Sequence, residues 1–134
     1  MGDHDVCAAL ADTAAMQEDE AALRRYAPMA EELALRYGHA LYEAVAHRAW
    51  GVAHRLAGEC DESAARLSQA LAIFQGLGTR WQLGRTFYEL GRLAALQMDR
   101  DTAHACFTGA LAHFEAMRTV PDSVRTLAAL AALS

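Results

Sequence analysis

The sequence contains no lysine: its twelve basic residues are all arginine, set against seventeen acids for a net charge of −5. An acidic balance of this kind argues against nonspecific nucleic-acid binding, which depends on a surplus of cations to displace condensed counterions. Whether the avoidance of lysine reflects genomic base composition or a need for guanidinium chemistry is open at this level. Proline occurs only twice and glycine nine times, and β-branched residues are few, so neither a sheet nor a turn-rich fold is expected. No apolar run approaches the roughly 18 residues of a membrane span. The N-terminal "MGDHDVCAAL" is acidic where a secretory signal would be basic. A cytoplasmic protein without a membrane partner is therefore expected. The three cysteines, Cys7, Cys60 and Cys106, are odd in number and form no C-x-x-C pair, so a disulfide framework is not expected and small buried residues are.

What the chain does have is alanine, leucine and a repeat. At 134 residues, 54% apolar and 22% charged, it can bury the core of one domain spanning 1–134. "ALAIFQGLG" at 70–78 returns as "ALAHFEAMR" at 110–118. In the same register Gly51 meets Gly91, Leu56 meets Leu96, Asp61 meets Asp101, and Leu90 and Leu93 meet Leu130 and Leu133. A fixed period of about this length marks an array whose units bury their apolar faces only against neighbours.

Each period reads as two helices. "LYEAVAHRAWGVAHRLAG" carries apolar residues at mostly helical spacing and stops at Gly58. Asp61 is placed to cap the next helix, which runs through "ESAARLSQALAIFQ" to Gly76 and Gly78. The plan repeats with "WQLGRTFYELGRLAALQ", a cap at Asp99 or Asp101, and "TAHACFTGALAHFEAMR". The first third is a degenerate copy, with a turn at "QEDE" and Pro28 inside its second helix, where a kink is expected. A last helix begins near Pro121, since proline suits a first turn. The units are about 3–37, 41–77 and 81–117, followed by a terminal helix at 121–133, giving about seven helices in an all-α fold. That terminal helix reads as the first half of a unit whose second half is absent, leaving an apolar row of Val124, Leu127, Leu130 and Leu133 to be covered by more chain or by a partner.

Antiparallel helix pairs, a small residue at Gly51 and Gly91 preceded by Trp50 and Leu90, and the small-then-aromatic run Ala70 to Phe74 resemble a tetratricopeptide repeat. The long period is similar to the variety found in the sensor segments of bacterial multidomain regulators such as maltose-type activators, signal-transduction ATPases and ATPase-linked cyclases. The resemblance covers about residues 18–134. It implies a right-handed superhelical stack (an α-solenoid) whose first helices line a concave face, working as a protein- or peptide-binding module inside a larger regulator. His54 and Ala94, where the family has tyrosine or leucine, and Ser63, where it has alanine, depart from its pattern.

On the first helices Arg48 and Arg55 share one face with Val52, and Arg85, Tyr88 and Arg92 share another, with Arg125 continuing the row from Arg85. Five arginines along one groove could bind carboxylates or phosphates bidentately. Alternatively they pair with neighbouring acids such as Glu43, Glu59 and Glu89 on a solvated face. A peptide or protein segment is the leading ligand, a small anion held in the groove is the alternative, and self-association through the terminal helix is a third reading. The interior glycines Gly51 and Gly91 cost roughly 1 kcal/mol each relative to alanine, which close approach of a partner helix would offset. The six histidines form no H-E-x-x-H or paired E-x-x-H pattern, so packing or surface roles are expected instead of a metal site. No Gly-rich phosphate loop or G-x-S-x-G occurs, so neither catalysis nor a cofactor is expected.

Overall fold

Alanine-rich amphipathic segments and few breakers leave helix as the one regular structure available. A computed structural model, which describes residues 3–133 and their side chains from residue 5 onward, contains seven helices and no strand among those residues. They are α1 (Asp3–Met16), α2 (Glu20–Tyr37), α3 (Ala40–Leu56), α4 (Cys60–Leu77), α5 (Arg80–Leu96), α6 (Arg100–Met117) and α7 (Val120–Ala132). The period governs these bounds closely: α2, α4 and α6 begin at 20, 60 and 100 and end at 37, 77 and 117.

Turn chemistry explains the regularity. A left-handed residue ends each of the first six helices, at Glu18, Gly38, Gly58, Gly78, Met98 and Arg118, with φ between 53° and 79°. After α1, α3 and α5 the same pair of backbone bonds closes the turn: Glu18 N–H donates to Ala15 and Asp19 N–H to Ala14, with counterparts from Gly58 and Glu59 and from Met98 and Asp99. This is the two-bond motif that satisfies the last carbonyls of a helix. The residue after it caps the next helix, and the Asp19 and Asp99 carboxylates accept from Ala22 N–H and Thr102 N–H, both at 3.2 Å. Asp61, expected as a cap, instead lies inside the first turn of α4. The left-handed turn fixes the cap at the position of Glu59, two residues earlier. α2 runs on through Pro28, and α7 carries Pro121 in its first turn.

The chain divides into two compact units, residues 1–77 and 78–134. In the first, α1 packs on α2 and α3, and α3 on α2 and α4. Its core gathers Ala11, Leu23, Ala27, Ala49 and Val52, with Leu67 and Phe74 of α4 also fully buried. In the second, α6 packs on both α5 and α7 around Tyr88, Phe107, Ala110 and Phe114.

The interior glycines are recesses for one side chain each. A Cβ on Gly51 would lie 2.6 Å from Leu67, and one on Gly91 would lie 2.6 Å from Phe107, the residue in the matching place of α6. Gly84 receives Phe114 in the same way, at 2.7 Å. Ser63 departs from alanine because its hydroxyl donates to the Gly51 carbonyl at 2.7 Å, inside the same contact.

The apolar row expected on α7 divides. Val124 and Leu127 are 59% and 51% exposed, whereas Leu130 and Leu133 pack against the core of the second unit. A helix turns about 100° per residue, so Leu130 and Leu133 lie about 120° and about 180° around the axis of α7 from Val124.

Candidate functional site

The arginines expected to line one groove occupy several environments. Arg48 is fully buried, donates to Asp12 on α1 at 3.2 Å and stacks over Phe74 at 5.0 Å. Arg55 is 8% exposed and donates to Glu18 at 3.0 Å. Arg85 is buried against Trp81, its guanidinium 5.4 Å from the ring centroid. Arg125, in the matching register position on α7, is exposed and pairs with Asp122 at 3.4 Å. Tyr88 and Arg92 remain neighbours, Arg92 donating to the Tyr88 hydroxyl at 3.2 Å.

Two of the acids expected as partners, Glu43 and Glu59, turn to other residues. Glu43 faces His47 at 3.3 Å. Glu59 accepts from His54 at 2.8 Å and from Arg24 at 3.4 Å, and these contacts, His54 first, hold its carboxyl below the ordinary range. Arg48 and Arg55 instead reach across to α1 and the turn that follows it, to acids 36 and 37 residues earlier. They tie one first helix to the next.

A second cluster in the first unit surrounds Trp50. The guanidiniums of Arg24 and Arg66 lie 5.7 and 5.4 Å from its ring centroid, and His54 stacks on it at 5.6 Å. Arg66 also bonds to Glu31 and contacts His47 Nδ1 at 2.9 Å. Every charged member has a counterion or a ring, so this is a stabilising network between α2, α3 and α4. His113 stacks on Phe87 at 5.8 Å, and burial, followed by the charge of Arg80, holds it below the usual imidazole range. Among the described residues no group of three or more His, Cys, Asp and Glu is placed to hold a metal, and no helix is long and apolar enough to cross a membrane.

The second unit contains an open cavity of about 310 Å³. Arg92 and Ala95 of α5, Met98 of the following turn, Arg100 at the start of α6, and Ala129, Ala132 and Leu133 near the end of α7 form its walls. Two guanidinium groups at the edge of an apolar hollow can hold an anionic group while its carbon body is sheltered. No protein-family model matches the chain, and no curated protein is significantly similar to it. The geometry of the chain itself therefore carries the functional reading. Of the cavity residues only Arg92 was expected at a site. Arg100 was missed because it belongs to a second helix, outside the faces searched for binding groups.

α7 supplies a separate surface. On α5, Gly84 and Gly91 receive Phe114 and Phe107, and Phe87 stacks on His113, so this side of the helix is covered by α6. On α3 the matching side is covered by α4, through Leu67 at Gly51 and Arg66 at His47. The corresponding residues of α7, Val124, Leu127 and Ala131, are exposed.

Proposed function

We propose that the protein is a tetratricopeptide-like interaction module that binds a helical segment of a partner protein on the open side of α7. The observation that carries this reading is the exposure of Val124 and Leu127, at 59% and 51%, on the side that a following helix covers in both α3 and α5. An amphipathic helix is the occupant whose shape this surface already accepts twice within the chain. Val124 and Ala131 replace Gly84 and Gly91, so the partner meets a ridge without deep recesses and presents smaller residues than Phe107 and Phe114. The right-handed stack and membership of a larger bacterial regulator rest on the resemblance in the repeat, and the cytoplasmic setting on the acidic N-terminal stretch and the want of a long apolar run.

A fluorescent peptide of residues 100–117 carrying Phe107→Ala and Phe114→Ala serves as the probe. It is expected to bind the intact chain and to bind Leu127→Asp about five- to 150-fold more weakly, since a charge on an apolar contact costs about 1–3 kcal/mol. Circular dichroism should show the fold of this surface variant unchanged. Equal anisotropy curves for the two proteins would remove α7 as the binding surface. Sedimentation equilibrium covers the case in which a second copy is the partner, because Leu127→Asp would then convert a dimer into a monomer.

A further inference from the structure

The first and third helices of the chain, and the fifth and seventh, form corresponding pairs eighty residues apart, and comparing them shows a reversal of charge. Between α1 and α3, the carboxylates of Asp12 and Glu18 are met by Arg48 and Arg55. Adding 80 to each number places Arg92 where Asp12 stands, Met98 where Glu18 stands and Arg100 where Glu20 stands. The acidic wall of the first unit has become a basic and apolar one. The other side changes in step, with Ala128 in the place of Arg48, Ala132 in that of Val52 and Ala129 in that of Ala49. In the second unit a cavity of about 310 Å³ opens beside Arg92, Met98 and Arg100.

We infer that this cavity is a binding site for a small amphipathic anion, a carboxylate or phosphate on a short aliphatic body. The head group would sit between Arg92 and Arg100, in the role that the protein's own carboxylates play between α1 and α3. Arg100 stands first in α6, where free backbone N–H groups add to the local positive potential. The adjacent Asp99 carboxylate is committed to capping that helix through Thr102 N–H. Ala95, Ala129, Ala132 and Leu133 offer the body a wall without polar side chains, and Met98, 85% exposed, lies at the rim as an adaptable cover. The volume is at the lower limit of ligand pockets, which run from about 300 to 1,000 Å³, so a short chain fits and a long lipid does not. The site uses a different side of α7 from the helix-binding surface, and each can fail independently of the other.

Calorimetric titration of the full chain with octanoate, octyl phosphate, octanol and acetate tests the assignment. Octanoate and octyl phosphate are expected to bind, more weakly as salt is raised, while octanol lacks the charge and acetate the body. Arg100 is exposed, so the fold of Arg100→Ala should persist while octanoate binding falls about ten- to a hundredfold, the loss expected for a charged hydrogen bond. Ala132→Phe fills the cavity without changing charge and should abolish binding of both anions. Octanol binding as tightly as octanoate, or octanoate binding unaltered in both variants, would overturn the inference. A preference between the two anions identifies the head group as carboxylate or phosphate.

Discussion

Gly91→Leu is expected to destabilise the second unit by about 3 kcal/mol or more, toward the upper end of overpacking effects. The new Cβ alone would stand 2.6 Å from two atoms of the Phe107 ring. That ring cannot swing aside, because it is 1% exposed and held by Tyr88, whose ring centroid lies 5.6 Å away. The helices must separate or Phe107 must leave the core, and either outcome exposes the apolar centre of α5 and α6. Thermal and urea unfolding followed by circular dichroism give the magnitude. An unchanged midpoint would mean that α5 and α6 do not approach each other at this glycine. Gly91→Leu/Phe107→Ala is the control, because it returns volume to the contact and should recover part of the loss.

Arg48→Ala should be comparably damaging, by about 3–5 kcal/mol, the usual cost of removing one member of a buried ion pair. Arg48 is fully buried, and its loss leaves a void beside Phe74 and deprives Asp12 of its counterion. Asp12 retains some exposure, 20% of its side chain, which places the expectation at the lower end of that range. Replacing both partners is a sharper test. Arg48→Met/Asp12→Leu removes the charges together, keeps most of the volume and should be far more stable than Arg48→Ala. Had Arg48 served an open binding groove, Arg48→Ala would leave the urea midpoint almost unmoved.

Much of the fold could be read from the repeat because its signals are local. Helix ends depend on turn residues a few positions away, so Gly58, Gly78 and Pro121 marked their boundaries well. Gly51 and Gly91 announced close packing, since an interior glycine weakens a helix unless a neighbour fills the space. Side-chain direction was harder. Spacings of three and four showed that Arg85, Tyr88 and Arg92 share a stripe, but spacing within one helix does not say which stripe meets solvent. The partners of Arg48 and Arg55 lie 36 and 37 residues away on another helix. A search for opposite charges at that separation would have found Asp12 and Glu18. The cavity was hidden for a related reason: its basic edge is visible only as a difference between copies, with arginine at 92 and 100 where the earlier unit has Asp12 and Glu20.

The reach of the contacts along the chain also has a kinetic consequence. Trp81 donates to Asp122 at 3.0 Å across 41 residues, and the pairs Gly51 with Leu67 and Gly91 with Phe107 each close a loop of less than half that length. Loop-closure entropy is small over such distances, and chains dominated by near-sequence contacts fold in roughly microseconds to milliseconds. A helix pair can therefore form as soon as its own residues are available, without waiting for distant segments. During synthesis, α3 and α4 can close on each other before α6 has left the ribosome.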